Sequence, residues 1–149
     1  MTISNAEIVY TRSTNGGSTF DNIVKNLSSS TLDSIQPAIA VSGNNVHVVW
    51  ADNILGGFDI FYTTSTDGGN TFSNMIKNLS DHSGDSFSPD ISILDSNVYV
   101  VWKDIRSGNF EILYKTSTDD GINFIDTVSN LSTNAGASES PVIAVSNLS

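Results

Sequence analysis

The chain repeats itself every 52 residues without insertion or deletion, and that period limits the folds open to it. The octet Ser65-Thr66-Asp67-Gly68-Gly69-Asn70-Thr71-Phe72 recurs at 13–20, with Ser13, Asn15, Gly17 and Phe20 in the matching places. It recurs again at 117–124, with Ser117, Asp119, Gly121 and Phe124. The register extends well beyond the octet. Ile8, Ile60 and Ile112 align, as do Tyr10, Tyr62 and Tyr114, and Pro37, Pro89 and Pro141. So do three Asn-Leu-Ser runs, beginning at Asn26, Asn78 and Asn130, and the pairs Trp50/Trp102 and Asp52/Asp104. A period of this length belongs to propellers and solenoids, whose units bury their faces only against neighbours.

Within one period the octet reads as a tight hairpin connection. The Asp67 carboxylate is placed to accept N–H bonds from the residues that follow it. Gly68 and Gly69 supply the positive φ such a turn needs, and Phe72 is large enough to anchor the returning strand in a core. Each full unit then reads as four strands: 39–41, 46–51, 58–64 and 71–79 in one, and 91–94, 98–103, 110–116 and 123–131 in the next. The first unit supplies only a third and a fourth strand, 7–12 and 19–27, and the last only a first, 141–145. That makes eleven strands in an all-β chain, divided as a partial unit over 7–31, full units over 32–83 and 84–135, and a first strand within 136–149. Val46, Val48 and Trp50 face one way while Val49 and Ala51 face the other, so this strand is apolar on both faces and is expected to be buried on both.

The pattern Ser-x-Asp-x-Gly-x-Thr-Phe resembles the Asp-box, or bacterial neuraminidase repeat. The second copy matches at every position, the first carries Asn15 for the acid, and the third carries Asn123 for the threonine. The resemblance implies β-propeller blades of four antiparallel strands, with the box between the third and fourth strands in a structural role. It also implies an extracellular or cell-surface setting, since hosts of the box include sialidases, other glycosidases and non-enzymatic secreted or surface proteins. A closed propeller typically has 4–8 blades. Fewer than three full blades are present, so the expected partner is a second copy, as in a dimer or larger homo-oligomer, or the remainder of a longer chain.

Composition narrows the function classes. Sixteen acidic and six basic residues give a formal charge of −10, which disfavours nucleic acid and anionic membranes as partners. No cysteine is present, no run is apolar and long enough to insert in a membrane, and residues 1–6 carry no signal-peptide pattern. The strand order puts the loops between second and third strands, and the crossings between units, on one face. There the candidate ligand-binding residues are Asp52, Asp104, Arg106, Asp81, His82 and Asp85, a polar acidic set suited to sugar hydroxyls or a divalent cation. The resembled sialidases hold the substrate carboxylate with three arginines, whereas this chain has only Arg12 and Arg106. The leading reading is therefore a non-enzymatic module that binds carbohydrate or protein. The alternatives are a fragment of a sialidase-like glycoside hydrolase and a purely architectural repeat. No catalytic residue, metal ligand set or cofactor site is assigned. Asn26, Asn78, Asn130 and Asn147 sit in glycosylation sequons, but turn chemistry accounts for the three that share the repeat register.

Overall fold

The computed structural model describes residues 5–106 and 108–147. These form an all-β chain without helices, in three antiparallel sheets. The first sheet pairs β1 (Val9–Tyr10) with β2 (Lys25–Asn26). The second runs in chain order through β3 (Ser34–Ser42), β4 (Asn45–Asp52), β5 (Asp59–Ser65) and β6 (Lys77–Asn78). The third repeats that meander with β7 (Ser86–Leu94), β8 (Asn97–Asp104), β9 (Glu111–Ser117) and β10 (Ser129–Asn130). The registers are the same 52 residues apart: Trp50 lies opposite Phe61, and Trp102 opposite Leu113.

In the middle sheet β4 is buried on both faces, as its sequence requires, while β3 is largely exposed. Val46, Val48 and Trp50 pack on Ile8 and Leu27 of the first sheet, with Tyr10, Phe61 and Phe72 at the margin. Val49, Ala51, Ile60, Tyr62 and Leu79 point the other way and pack on Val98, Val100, Trp102 and Leu113 of the third sheet. Each such aliphatic side chain contributes about 1.5–3 kcal/mol on leaving water. The sheets are thus held face to face by two apolar layers.

Several strand bounds differ from expectation, each for a local reason. The first strands run longer than 39–41 and 91–94, because pairing resumes beyond a bulge and continues to Ser34 opposite Asp52 and Ser86 opposite Asp104. Gln36 (φ 55°) and Ser88 (φ 52°) sit in these bulges in the left-handed region, each just before a proline that brings no N–H to the ladder. The fourth strands are much shorter. Ser73 N–H donates to the Thr64 carbonyl at 2.8 Å, yet the next paired residues are Tyr62 and Lys77. The fourth segment therefore spends two more residues than the third over this stretch, and Met75 and Ile76 bulge into solvent. The matching bonds from Asp21 to Arg12 and from Ile125 to Thr116 place the same excursion in the other units. The first unit's third strand shrinks from 7–12 to Val9–Tyr10. The expected eleventh strand, 141–145, does not form, because it has no ladder partner among the described residues; Ile143 N–H donates instead to Asp90 Oδ2 at 2.8 Å. Phe20 is also not a core anchor, at 59% exposed, whereas Phe72 and Phe124 are half-buried.

Candidate functional site

Each second strand ends on an aspartate directly opposite an acid that begins the third strand, Asp52 facing Asp59 and Asp104 facing Glu111. All four are buried. Burying a carboxylate is costly unless donors surround it, and they do here. Asp52 Oδ2 accepts from the Ser34 hydroxyl (2.7 Å) and the Trp50 indole (3.2 Å), and its Oδ1 from the Ser30 hydroxyl (3.1 Å) and Ile54 N–H (3.0 Å). Asp104 repeats the arrangement with Ser86 (2.9 Å), Trp102 (3.1 Å) and Arg106 N–H (2.9 Å). His82 takes the place of Ser30, its Nε2 2.7 Å from Asp104 Oδ1. Because His82 Nδ1 accepts from Gly84 N–H at 2.7 Å, Nε2 carries the proton. The Arg106 guanidinium closes on both Asp104 oxygens at 3.0 Å. Burial opposes ionisation of Asp104, but the Arg106 guanidinium and amide, with Trp102 and Ser86, outweigh it and hold the carboxyl at about 2.

Of the six candidate ligand-binding residues, then, Asp104, His82 and Arg106 come together, and Asp52 forms the equivalent knot one unit earlier. Asp85 lies apart, its Oδ1 accepting from Phe58 N–H at 2.9 Å. Asp81 is exposed in the left-handed region (φ 38°). Asp81 and His82 line one side of a cavity of about 340 Å³, completed by Leu55, Gly56, Gly57, Asp59 and Ser83. This hollow lies between the loop joining β4 to β5 and the crossing to the next unit. The Asn-Leu-Ser runs brace the same region. Ser80 Oγ accepts from Ile60 N–H (3.0 Å) and donates to Asp59 Oδ1 (2.6 Å), while Asn78 Oδ1 accepts from the Ser80 and Asp81 amides. Asn26 and Asn130 bond turn amides in the same way; the fourth sequon, at Asn147, runs into 148–149, outside the described residues.

The octets lie at the opposite ends of the strands. Asp67 Oδ1 accepts from Thr71 N–H (2.8 Å) and the Ser65 hydroxyl (2.7 Å), and Oδ2 from the Thr71 hydroxyl (2.7 Å). These donors, Thr71 first, hold the carboxyl at about 2. The two departures in sequence preserve the lock. Asn15 accepts from Thr19 N–H at 2.9 Å and turns its amide to donate to the Thr19 hydroxyl at 2.8 Å. Asn123 replaces that hydroxyl by donating Nδ2–H to Asp119 Oδ2 at 2.8 Å.

A contact that no single unit reveals joins the second octet and the third each to the unit before it. Tyr10 lies over Gly69 and Tyr62 over Gly121, so a Cβ on either glycine would overlap the tyrosine hydroxyl and stand 2.7 or 2.6 Å from its Cζ. The same tyrosines meet Phe72 and Phe124 edge to face at 4.9 and 5.0 Å. Tyr62 also bonds His47 Nδ1 at 2.7 Å, and His47 Nε2 is buried without a hydrogen-bond partner among the described residues. Burial pushes His47 below its ordinary value and Tyr62 above. The 52-residue alignment of Tyr10 with Tyr62 was the available signal, but their partners lie a full unit away.

No family model and no curated protein matches the chain. Among solved structures, a point mutant of NanB sialidase from Streptococcus pneumoniae is similar over 83% of this chain, at 16% identity and a TM-score of 0.48. The chain spans 18% of the length of that protein's chain.

Proposed function

We propose that the chain is a segment of an Asp-box β-propeller that acts as a non-enzymatic, extracellular or cell-surface binding module for carbohydrate. One observation carries this reading: the loop-face carboxylates are already committed. Asp52, Asp104, Asp59 and Glu111 are buried and bonded to donors of their own or the preceding unit, and Arg106 is folded onto Asp104. A general acid and base must reach the substrate, and a carboxylate held by several internal donors is poorly placed to do so. What the face offers instead is the hollow of about 340 Å³, with exposed Leu55 on its rim and polar Asp81, His82 and Ser83 opposite. A sugar ring, apolar on one face and hydroxylated at its edge, suits such a lining.

A glycan array probed with the purified chain tests the proposal, followed by titration of any hit against Asp81→Ala and Leu55→Ala variants. Binding weakened by both substitutions, with no turnover of a fluorogenic sialoside, is expected. A silent array, or hydrolysis of the sialoside, overturns it.

A further inference from the structure

The contact between successive units is directional, and the chain makes it twice. Each unit presents a forward face, Ile8, Tyr10 and Leu27 or Ile60, Tyr62 and Leu79, to the backward face of the next, which carries the octet phenylalanine. By the 52-residue register the forward residues of the third unit are Ile112, Tyr114 and Leu131, and the backward residues of the first are Val9, Phe20 and Val24. These two half-contacts have no counterpart in place among the described residues. Leu131 is 60% exposed where Leu79 is 1%, and Val9, Phe20 and Val24 are all exposed. A Cβ on Gly17 would meet nothing within 4 Å, whereas those on Gly69 and Gly121 would strike a tyrosine.

We propose that a second copy of this chain docks head to tail, with Tyr114 of one copy seated on Gly17 and Phe20 of the other. Three further observations favour this occupant. The receiving glycine already has the conformation of its covered equivalents, φ 86° against 81° and 77°. The receiving octet is the one with no carboxylate, Asn15 standing at the acid position, which spares a docking between two chains of charge −10 one like-charge approach. Residues 141–147 also lie ahead of the third unit, tied by Ile143 N–H to Asp90, much as Ser88 N–H is tied to Gln36 between β7 and β3. The incoming sheet of β1 and β2 would find an inner segment already beside it. The contact is heterologous, so copies close into a ring or extend in one direction.

Light scattering behind a sizing column, across a concentration series, tests the proposal. The expected result is a multiple of the 15.9 kDa chain mass. Phe20→Ala and Tyr114→Ala should each weaken association about tenfold or more, as loss of a packed aromatic pair does. Both side chains lie at the margin of the fold, and unchanged circular dichroism verifies that the variants remain folded. Mixing the two variants is the decisive arm. Each keeps the half the other lacks, so the mixture should associate more tightly than either variant alone. A wild-type chain that stays monomeric at all concentrations overturns the proposal and leaves these faces to further repeats of a longer chain. Association untouched by both substitutions, or a mixture no tighter than its components, also overturns it.

Discussion

Replacing Gly121 by alanine separates the two reasons a glycine stands there. The first is backbone: φ is +77°, and an L-residue in that region costs about 1–2 kcal/mol. The second is the tyrosine of the preceding unit, since the new Cβ would stand 2.6 Å from Tyr62 Cζ and overlap its hydroxyl. Tyr62 is fully buried, so it can yield only by disturbing the layer between the second and third sheets. Overpacking of that kind costs about 1–3 kcal/mol. Moving the hydroxyl also takes it from His47, whose other ring nitrogen already has no hydrogen-bond partner among the described residues, and stranding a buried polar group costs about 1–3 kcal/mol more. Gly17→Ala is the control, with φ +86° and nothing within 4 Å of its Cβ. Urea unfolding followed by fluorescence of Trp50 and Trp102, in protein dilute enough to be monomeric, should give a loss of about 1–2 kcal/mol for Gly17→Ala and about 3–8 for Gly121→Ala. Equal losses would refute the reasoning, because only backbone strain would then remain.

Two further outcomes follow from the hydrogen bonding. Asp67, Asp104 and Asp119 all titrate below the ordinary 3.8 when folded, so the unfolded chain takes up their protons first as pH falls. The stability they contribute should be complete above about pH 4 and disappear as pH drops through about 2, and thermal melts that stay flat across that window would argue against the octet and loop locks. Ser80→Ala should cost about 2–4 kcal/mol in the same urea assay, because it strands both Ile60 N–H and Asp59 Oδ1; a loss below about 1 kcal/mol would mean water replaces the hydroxyl there.

Much of this was legible in the sequence because repetition multiplies weak signals. One Ser-x-Asp-x-Gly-x-Thr-Phe octet says little, but three in constant register placed every hairpin between a third and a fourth strand. The doubly apolar run from Val46 to Ala51 announced a sheet with neighbours on both sides. Asp52 and Asp104 were read as surface groups, although each follows a tryptophan by two residues and a serine by eighteen, and those residues supply the donors that bury it. What pattern could not reach was contact across units. Tyr10 and Gly69 are strangers in sequence, and alternation of apolar residues does not disclose the two-residue excursion that removes Met75 and Ile76 from the fourth strand. The left-handed backbone of Gln36 and Ser88 was likewise invisible, since neither residue type demands it.

The tyrosine that reaches over the next unit's glycine gives the repeat a grammar of its own. Tyr10 and Gly69, and Tyr62 and Gly121, stand 59 residues apart, so each unit's fitness is judged by its successor as well as by itself. A substitution at the tyrosine calls for an answer in the following unit as well as in its own, where Tyr62 bonds His47. Because every unit carries one half of the contact on each side, whole 52-residue increments can be gained or lost while every remaining junction stays legitimate. Lengthening such an array by duplication leaves nothing to redesign, whereas a drift of even one residue in the period would sever both neighbours together.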